Sequence, residues 1–564
     1  MISFQEIAKD FGGQVLFTDV NLQLNAGSRY GIVGANGSGK STLMRMVSGE
    51  ESPSSGRVTK PKSARIGMLE QDHFQYENTP IIEVVMQGNP ILWKAMQDKE
   101  ELLAKAHEEF DDARSSRLED LIMQYDGYEL ESKAGQILEG LNIPSVLHQE
   151  PLSILSGGYK LRVLLGKALA ADPEILLLDE PNNHLDILSI CWLEEFLRSY
   201  KGCALIVSHD HRFLNNFTTH IIDVDYERAT LYKGNYTAFV NAKAEERTRR
   251  EAEIAKRKKE IADLDAFVTR FKAKASKARQ ANSKAKRMEK IVLEPLPQSS
   301  RRYPLFRLKA RRPTGREVLS VDGVTKAFDD KIVLFDVSFK VERGEKVGII
   351  GPNGIGKSTL LKILMDQLQA DMGSSEWGYE VDCGYFPQDH HELLNKPKQT
   401  VKGYLWEAKA TESMGFVHGK LAEVLFSRDE IEKKLDVLSG GEAARLLLCR
   451  IGVEEPTVLV LDEPTNHLDL EGIESLAKGL QDFEGAVIFV SHDRWFVDAV
   501  ATRIIEINED GVVDYPGTYS EYVARNEQAN HLDAEAVAEL EREKRRERKR
   551  EKRREKQRDK KRKN

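Results

Sequence analysis

The sequence predicts an α/β fold that is present twice in the chain, with a long charged helical hairpin between the two copies. The segment GANGSGKST at Gly34–Thr42 recurs as GPNGIGKST at Gly351–Thr359, an offset of 317 residues. The sequences LSGG, LDEP and SHD, which begin at Leu155, Leu178 and Ser208, recur 283 residues later. Apolar runs that end in polar residues accompany these motifs in both copies, as in buried parallel strands. The two copies are called the first and the second repeat below.

Length and composition restrict the classes of protein that are possible. The 564 residues are enough for about three or four folding units. A chain that is 40% hydrophobic and 31% charged is neither globally disordered nor collagen-like. No run approaches 18 uncharged apolar residues, and no secretory signal is visible. The four cysteines form no CxxC pair, so we expect a reducing, cytoplasmic location rather than a disulfide or zinc scaffold.

The fall in offset places an insertion in the first repeat. The repeats lose 34 residues of offset between Gln71 and Leu155, and apolar residues in this stretch recur at helical spacing, which predicts an inserted helical hairpin. We therefore expect a first nucleotide-binding domain at 1–240 with an arm at about 85–135, a basic helical linker at 241–302, a second domain at 318–530 and a basic tail at 531–564.

Charge is distributed unevenly along the chain. The formal net charge is −8, but residues 241–290 carry +9 and residues 541–564 carry +10, which leaves −27 for the remainder. An acidic body with two basic segments suggests contact with a polyanion. For the tail, a disordered charged segment is an equally good interpretation. For the linker, the alternative is a charged helical spacer that binds nothing.

Each recurring glycine-rich segment follows an apolar strand and opens a helix, which is the context of a phosphate-binding loop. Glycines let the backbone wrap tightly, so that successive N–H groups and the helix N-terminus face phosphate oxygens. We expect the lysines to reach the β- and γ-phosphates and the first serines of the helices to hold Mg²⁺. The predicted ATP-binding residues of the loops are Gly34, Ala35, Asn36, Gly37, Ser38, Gly39, Lys40, Ser41, Thr42, Gly351, Pro352, Asn353, Gly354, Ile355, Gly356, Lys357, Ser358 and Thr359.

Two further strands in each repeat end in residues suited to phosphoryl transfer. Asp179 and Asp462 end apolar runs and suit the Mg²⁺ shell, through water. The next residues, Glu180 and Glu463, suit orienting or activating the attacking water, because this chemistry is mostly positioning and electrostatics. The catalytic assignment is completed by a histidine after a second apolar strand, placed at the γ-phosphate: His209 and His492.

These motifs resemble those of the ATP-binding-cassette (ABC) ATPases over nearly the whole chain. The resemblance implies ABC-type domains that use ATP and Mg²⁺ in a monomer whose two domains pair. It also implies that each LSGG motif completes the ATP site of the other domain, and that Asp186 and Asp469 belong to the dimer-contact loop. The remaining residues implied are the signature residues Ser156, Gly157, Gly158, Ser439, Gly440 and Gly441, the Mg²⁺-sensing Gln71 and Gln388, and the adenine-stacking Phe11 and Phe328.

More narrowly, the chain resembles the ABC-F subfamily. The resemblance rests on two tandem domains without a membrane domain, DEPTNHLD at Asp462–Asp469 and the basic linker, whose text looks most like the YbiT-type branch. It implies a ribosome partner, with the arm at the exit site and the linker contacting ribosomal RNA and peptidyl-tRNA. The RNA-contact candidates in the linker are Arg270, Lys272, Lys274, Lys277, Arg279, Lys284, Lys286 and Arg287.

The first repeat departs from the family pattern at two positions, which could make the two ATP sites unequal. Tyr159 follows LSGG where glutamine or glutamate is usual, and Asn182 stands where threonine is usual. Two other functions remain open. An energising subunit of a membrane transporter would need a separate membrane partner and leave the basic linker unexplained, and a DNA-associated ATPase would use that linker to clamp duplex DNA.

Overall fold

A computed structural model describes the chain at residues 2–12, 14–61, 64–69, 74–104, 111–124, 127–183, 185–271, 283, 286, 301–328, 331–390, 398–508 and 511–525. The contacts divide the chain into two compact units. The first unit contains Met1–Leu305 with the short segments Ala422–Ser427 and Asn466–Ser475, and the second contains Phe306–Leu421, Arg428–Thr465 and Leu476–Asn564.

The strands of the first unit form a six-stranded sheet and a three-stranded sheet. They are β1 (Ile2–Phe11), β2 (Gln14–Leu24), β3 (Arg29–Val33), β4 (Ser55–Thr59), β5 (Ile66–Met68), β6 (Ile175–Asp179), β7 (Cys203–Val207), β8 (His220–Asp225) and β9 (Arg228–Lys233). The larger sheet has the order β5-β6-β7-β3-β8-β9 and is parallel except for β9. The smaller sheet, β2-β1-β4, is antiparallel.

Helices cover the large sheet and build the inserted arm. They are α1 (Lys40–Ser48), α2 (Ile81–Met86), α3 (Pro90–Ala104), α4 (Asp112–Gln124), α5 (Leu130–Gly140), α6 (Gly157–Ala170), α7 (Ile187–Ser199), α8 (His211–Phe217) and α9 (Tyr236–Phe271). Helices α3 and α4 contact each other, as do α2, α5 and α6. The first pair is the helical hairpin that the apolar spacing of the insertion predicts.

The second unit repeats this architecture. Its strands are β10 (Glu317–Phe328), β11 (Lys331–Glu342), β12 (Lys346–Ile350), β13 (Met372–Trp377), β14 (Cys383–Phe386), β15 (Val458–Asp462), β16 (Ala486–Val490), β17 (Arg503–Asn508) and β18 (Gly511–Pro516). The sheet orders are β14-β15-β16-β12-β17-β18 and β11-β10-β13. The helices that follow β12 in the chain are α10 (Lys357–Leu364), α11 (Val401–Ala408), α12 (Met414–Glu423), α13 (Gly440–Glu454), α14 (Leu470–Gln481) and α15 (Arg494–Val500).

The central strands are apolar along their whole length because both faces of the sheet are covered. In β6, Leu176 and Leu178 pack into the cluster that contains α5 and α6, whereas Ile175 and Leu177 pack into the cluster on the opposite face. This arrangement explains the continuous apolar runs that predict buried parallel strands. Every such strand ends at the same edge of its sheet, which is where an α/β fold places its ligands.

A connector that follows the linker lies on the second unit. The side chains of Phe306 and Leu308 are buried there. The backbone passes so close to two helices that a Cβ on Gly452 would lie 2.9 Å from the carbonyl oxygen of Arg307, and one on Gly479 would lie 2.8 Å from that of Phe306. Glycine at both positions therefore permits this close approach of backbone to backbone.

Within the described residues, no helix combines the length and the apolar character needed to cross a bilayer.

Candidate functional site

In both units a glycine-rich loop lies between a central strand and a helix. The loop 34–39 joins β3 to α1, and the loop 351–356 joins β12 to α10. Gly39 and Gly356 are the residues before the helices, with φ of 97° and 104°, a left-handed conformation that favours glycine. The strand-loop-helix context that the phosphate-binding motif requires is therefore present twice.

The lysines of these loops are buried and fold back onto the loop backbone. Nζ of Lys40 donates hydrogen bonds to the carbonyl oxygens of Gly34 and Ala35, at 2.8 and 3.2 Å. Nζ of Lys357 donates to the carbonyl oxygen of Gly351, also at 2.8 Å. Neutral carbonyls are weaker partners for an ammonium group than phosphate oxygens. Both lysines are thus held at the loop and have partners that a nucleotide phosphate would replace.

A serine and an aspartate meet at the edge of the second sheet. Oγ of Ser358 donates a hydrogen bond to Oδ1 of Asp462 at 3.1 Å. The other carboxylate oxygen of Asp462 is buried and has no hydrogen-bond partner among the described residues, and burial raises the pKa of this group to about 6. A hydroxyl and an under-bonded carboxylate are the oxygen ligands that Mg²⁺ prefers, so these residues fit the ion.

The protein supplies only part of a coordination shell at this edge. Among the described residues, no three His, Cys, Asp or Glu side chains are grouped so as to hold a metal ion on their own. Mg²⁺ usually keeps several waters and shares its remaining ligands between one or two carboxylates and substrate phosphates. The serine–aspartate pair therefore suits an ion that arrives with a nucleotide.

The two glutamates that follow the aspartates have strained backbones. Glu180 and Glu463 have φ of 48° and 50°, which is uncommon for residues other than glycine. Backbone N–H groups of both residues hydrogen-bond across the sheet, to the carbonyl oxygens of Val207 and Val490 at 3.0 and 2.9 Å. Strain of this kind clusters at functional sites, where the surrounding structure holds it.

Each glutamate is paired with the histidine that the sequence places after the next strand. Nε2 of His209 lies 3.5 Å from Oε1 of Glu180, and Nε2 of His492 lies 3.2 Å from Oε1 of Glu463. The backbone N–H groups of the same histidines donate to the other carboxylate oxygens, at 3.4 and 3.2 Å. The sequence suggests histidines at a γ-phosphate, and the structure adds that they position the glutamates.

Burial shifts the titration of these groups towards their neutral forms. It raises the pKa of Glu180 to about 8 and that of Glu463 to about 7. Burial also lowers the pKa of His209 well below its ordinary value and lowers the pKa of Lys40, although the charge of Glu180 opposes this second effect. A carboxylate with a raised pKa is a stronger base than an exposed one, which suits activation of a water molecule.

The replacement at Asn182 keeps the contact made by threonine in the second repeat. Oδ1 of Asn182 accepts a hydrogen bond from Oγ of Ser208 at 2.8 Å. In the second unit, the hydroxyl groups of Thr465 and Ser491 share a hydrogen bond at 3.1 Å. Both serines immediately precede the site histidines. The different residue type therefore does not remove the contact that ties the two strand ends together.

The two signature motifs are capped differently. Ser439 and Glu442 form a reciprocal capping box at the start of α13, and Lys433 binds Glu442 at 2.8 Å. Ser156 also precedes a helix, but its side chain makes no capping hydrogen bond in the part of the chain that the structure describes. Tyr159, which stands where the glutamate would be, lies under the guanidinium of Arg162 with 4.6 Å between their centres. The two signatures are thus unequal in local stability.

Arg162 extends this difference to the dimer-contact loop of the first repeat. Its side chain is 1% exposed, and Nη1 donates to Oδ2 of Asp186 at 3.2 Å. The same oxygen accepts from Nδ2 of Asn142 at 2.9 Å. Burial alone would raise the pKa of Asp186, but the N–H of Ser189 and the charge of Arg162 hold it at about 2. Asp186 is therefore fixed inside its own repeat.

The equivalent aspartate of the second repeat has another partner. Oδ1 of Asp469 accepts from the N–H of Gly472 at 2.9 Å, as a helix cap. Oδ2 accepts from the N–H of Asn36 in the phosphate-binding loop at 3.4 Å. Both residues belong to the first unit, because the segment Asn466–Ser475 packs there. Position 425, which corresponds to Asn142, is a leucine, so the side-chain amide that holds Asp186 has no counterpart in the second repeat.

The remaining sequence candidates are only partly described. Phe11 and Phe328 end β1 and β10 with side chains about half exposed, so their rings are accessible for stacking. Gln388 follows β14 and is exposed, whereas Gln71 lies outside the described residues. Of the RNA-contact candidates, Lys286 is exposed and Arg270 lies in α9 without a described side chain; the rest fall outside the described residues, namely Lys272, Lys274, Lys277, Arg279, Lys284 and Arg287.

This combination of elements defines a class of protein. Paired phosphate-binding loops, carboxylates at the ends of adjacent strands and a signature serine before a helix occur in both repeats, and they define tandem ATP-binding cassettes. The family model described as ABC transporter matches residues 17–183 and 334–466. A second model with the same description matches residues 222–307, which include the linker helix.

Individual relatives narrow the class. "Probable ATP-binding protein YbiT" of Escherichia coli O157:H7 is 42% identical over 529 residues, which cover 93% of this chain and 99% of that protein. "ABC transporter F family member 5" of Arabidopsis thaliana is 33% identical over 96% of this chain and 80% of that protein. The chain belongs to the ABC-F family of ATP-binding-cassette proteins.

A solved structure agrees on the fold. It is a complex of the archaeal ribosomal stalk protein aP1 with the archaeal ribosome recycling factor aABCE1. Its chain has a TM-score of 0.57 and 18% identity to this one, with 93% of this chain and 92% of that chain covered. At this identity the likeness concerns the tandem-cassette fold alone.

Proposed function

We propose that this protein is a cytoplasmic, Mg²⁺-dependent ATP hydrolase that uses two composite sites to control its binding at the exit site of the ribosome and thereby regulates translation. The observation that carries the enzymatic part is the buried glutamate–histidine pair beside each phosphate-binding loop. Each pair combines a carboxylate of raised pKa with a neutral imidazole held at 3.2–3.5 Å. Such a pair orients a water for attack without needing a second charged side chain.

The roles of the chain's own groups follow from their positions. Lys40 and Lys357 exchange their carbonyl partners for phosphate oxygens, while Ser41, Ser358, Asp179 and Asp462 are the groups that would hold Mg²⁺. When bound, the ion neutralises charge on the phosphates. Glu180 and Glu463 accept a hydrogen bond from the attacking water, and His209 and His492 keep the carboxylates aimed. The signature serines Ser156 and Ser439 complete the site of the opposite cassette.

The ribosomal part of the proposal rests on the linker and on the family. Helix α9 has 36 residues, so at 1.5 Å per residue it is roughly 54 Å long. It leads into the basic stretch 272–287 of the sequence, which has no acidic residue. A basic tip on a long helix suits a cavity lined with RNA phosphates, where contacts are salt-dependent and insensitive to sequence. The solved relative described as a ribosome recycling factor is consistent with such a partner.

The test is co-sedimentation of the full chain with 70S ribosomes. In the double variant Glu180→Gln, Glu463→Gln, ATP should remain bound and hold the protein on ribosomes, whereas the parent should be released as ATP is consumed. DNA of the same phosphate content is the competitor that addresses the DNA-clamp alternative, and washed membranes address the transporter alternative. Equal retention of the two proteins, or retention by DNA but not by ribosomes, would overturn the proposal.

A further inference from the structure

A buried group of five charged residues joins the linker to the first cassette; we call it the root cluster, and it consists of Asp223, Asp225, Lys243, Arg301 and Glu471. All five belong to the first unit. The three acidic side chains are at most 4% exposed, and Arg301 is 13% exposed. Charges this deeply buried are tolerated only when each one is paired.

Both ends of the linker contribute a cation to the same two aspartates. Lys243 lies near the start of α9, and its Nζ is 2.5 Å from Asp223 and 2.8 Å from Asp225. Arg301 lies after the linker has returned, and its Nη2 is 2.5 Å from the other oxygen of Asp223. The guanidinium also lies over the ring of Phe239, 5.6 Å from its centre. The outgoing and returning chain are therefore fastened at one point.

That point is next to the nucleotide-binding loop. The two aspartates lie on β8, which pairs with β3 in parallel register, Val33 opposite Asp223. The loop begins at the next residue, Gly34, and its Cβ position is 2.5 Å from the carbonyl oxygen of Val224. Since the backbone between the two aspartates touches the first residue of the loop, the root cluster and the ATP site share a rigid strand.

The third acid of the cluster comes from the second repeat. Nη1 of Arg301 lies 3.0 Å from Oε1 of Glu471. Glu471 is in the first turn of α14, two residues after Asp469, whose carboxylate accepts the hydrogen bond from Asn36. Arg301 thus bridges the linker, the strand beside the ATP site and the helix that carries the dimer-contact aspartate. A side chain with several fixed donors can hold all three at once, which a lysine cannot do.

We propose that Arg301 and Glu471 form the coupling contact through which the dimer-contact loop positions the linker when ATP binds. Arg301 is a positioning residue and touches no reacting atom. The inference rests on the proposed function for the purpose of the movement, but not for its existence. Typical coupling energies between sites correspond to changes of about 5–150-fold.

The experiment measures hydrogen exchange of the full chain with and without Mg·ATP, so it needs no ribosome. The background carries Glu180→Gln and Glu463→Gln to prevent turnover. ATP should slow exchange both in peptides of the loop 34–42 and in peptides from the start of α9. Adding Glu471→Gln leaves the contact between Arg301 and Asp223 in place. The loop should keep its full ATP response, while the response at α9 should fall by about tenfold.

Two further variants separate coupling from folding. Arg301→Lys should retain part of the α9 response, and Arg301→Gln should retain none. Arg312→Gln, in the same connector, removes a surface ion pair with Glu380 at 2.7 Å and should leave both responses unchanged. If Arg301→Gln does not fold, Glu471→Gln alone decides the matter.

Every other result counts against the coupling contact. An undiminished α9 response in Glu471→Gln, or no α9 response in the background chain, would refute it. Loss of the loop response together with the α9 response would also refute it, because Glu471 would then act on nucleotide binding itself. A chain that fails to bind ribosomes but passes this test would refute only the proposed partner.

Discussion

Nε2 of His492 lies 3.2 Å from Oε1 of Glu463, and the backbone N–H of the same histidine donates to the other oxygen of that carboxylate, also at 3.2 Å. One residue at the end of β16 therefore holds both oxygens of the glutamate at the end of β15. The carboxylate cannot rotate without losing one of the two contacts. The predictions below begin from this fixed geometry and its counterpart in the first repeat.

Removing the basic oxygen of each glutamate should stop hydrolysis without preventing nucleotide binding. Glu180→Gln and Glu463→Gln preserve shape, so each should retain ATP affinity while its own site loses turnover by a factor of about 10²–10⁴, the usual contribution of a positioned acid or base. Phosphate release and binding of labelled ATP measure the two effects separately. Single variants that keep nearly all of the parental rate would show that these carboxylates do not activate water.

The same substitutions should change how the stability of the nucleotide-free protein depends on pH. Glu180 and Glu463 have ordinary pKa values of 4.5 that burial raises to about 8 and about 7. The folded state therefore binds their protons more tightly, so stability is full below an ordinary glutamate pKa and is lost as pH rises through 7 and 8. Glutamine removes this loss.

The measurement is the Tm of parent and double variant in EDTA between pH 5 and pH 9. The two values should nearly coincide at pH 5, and the variant should melt higher at pH 9, by roughly 2–4 °C for each kcal/mol regained. The exposed Glu484→Gln is the matched control and should change neither end of the range. A difference between the proteins that does not vary with pH would contradict the expected titration.

Asn182 should be replaceable by threonine but not by an apolar residue of similar size. Asn182→Thr keeps an oxygen for the hydroxyl of Ser208, so we expect an ATPase rate within about twofold of the parent. Asn182→Val leaves that hydroxyl without its partner, at a cost of about 1–3 kcal/mol in a buried site. Steady-state ATPase assays together with Tm values test this order. The expectation would be wrong if the valine variant behaved like the threonine variant.

Breaking the pair of Arg162 and Asp186 should be more damaging than removing both charges. Arg162→Met leaves Asp186 buried without its cation and should destabilise the first unit by about 3–5 kcal/mol, whereas a double change to Met and Asn should recover part of this loss. Arg312→Gln, at the surface, serves as control. Thermal melting followed by limited proteolysis of the first unit reports the difference, and a double variant no better than the single one would contradict the pairing.

The linker tip and the tail should respond differently to salt. Neutralising the basic residues of 270–287 should weaken ATP-dependent ribosome binding at all salt concentrations, because contacts inside a cavity are screened little. Deleting 541–564 should weaken it only at low salt, since a solvated polycation acts through screened attraction. Salt titrations of co-sedimentation compare the two. Equal affinity of the neutralised and parental chains would indicate that the tip is only a spacer.

Much of the fold could be predicted because local patterns and global structure agree. The apolar runs before Asp179 and Asp462 became central strands, and Gly39 and Gly356 became helix caps in the left-handed region. Such features depend on a few residues in sequence and on burial of both faces of a sheet. The repeat itself supplied the second copy of every assignment.

The contacts that distinguish the two repeats could not be predicted. The root cluster joins residues 223, 243, 301 and 471, which are far apart in sequence and belong to no motif. The different partners of Asp186 and Asp469 depend on whether position 142 or its counterpart carries an amide. The replacement at Asn182 suggested inequality in the sequence, but the structure shows the same hydrogen bond made with other atoms.

The close passage of the connector over Gly452 and Gly479 has a consequence for protein engineering. A domain exchanged between relatives would bring its own helices but meet a foreign backbone at those two notches, where even one methyl group would collide with a carbonyl oxygen. Chimeras should therefore be joined upstream of Phe306, so that the connector travels with the helices it crosses. Junctions placed after it would test whether a graft tolerates a mismatched strap.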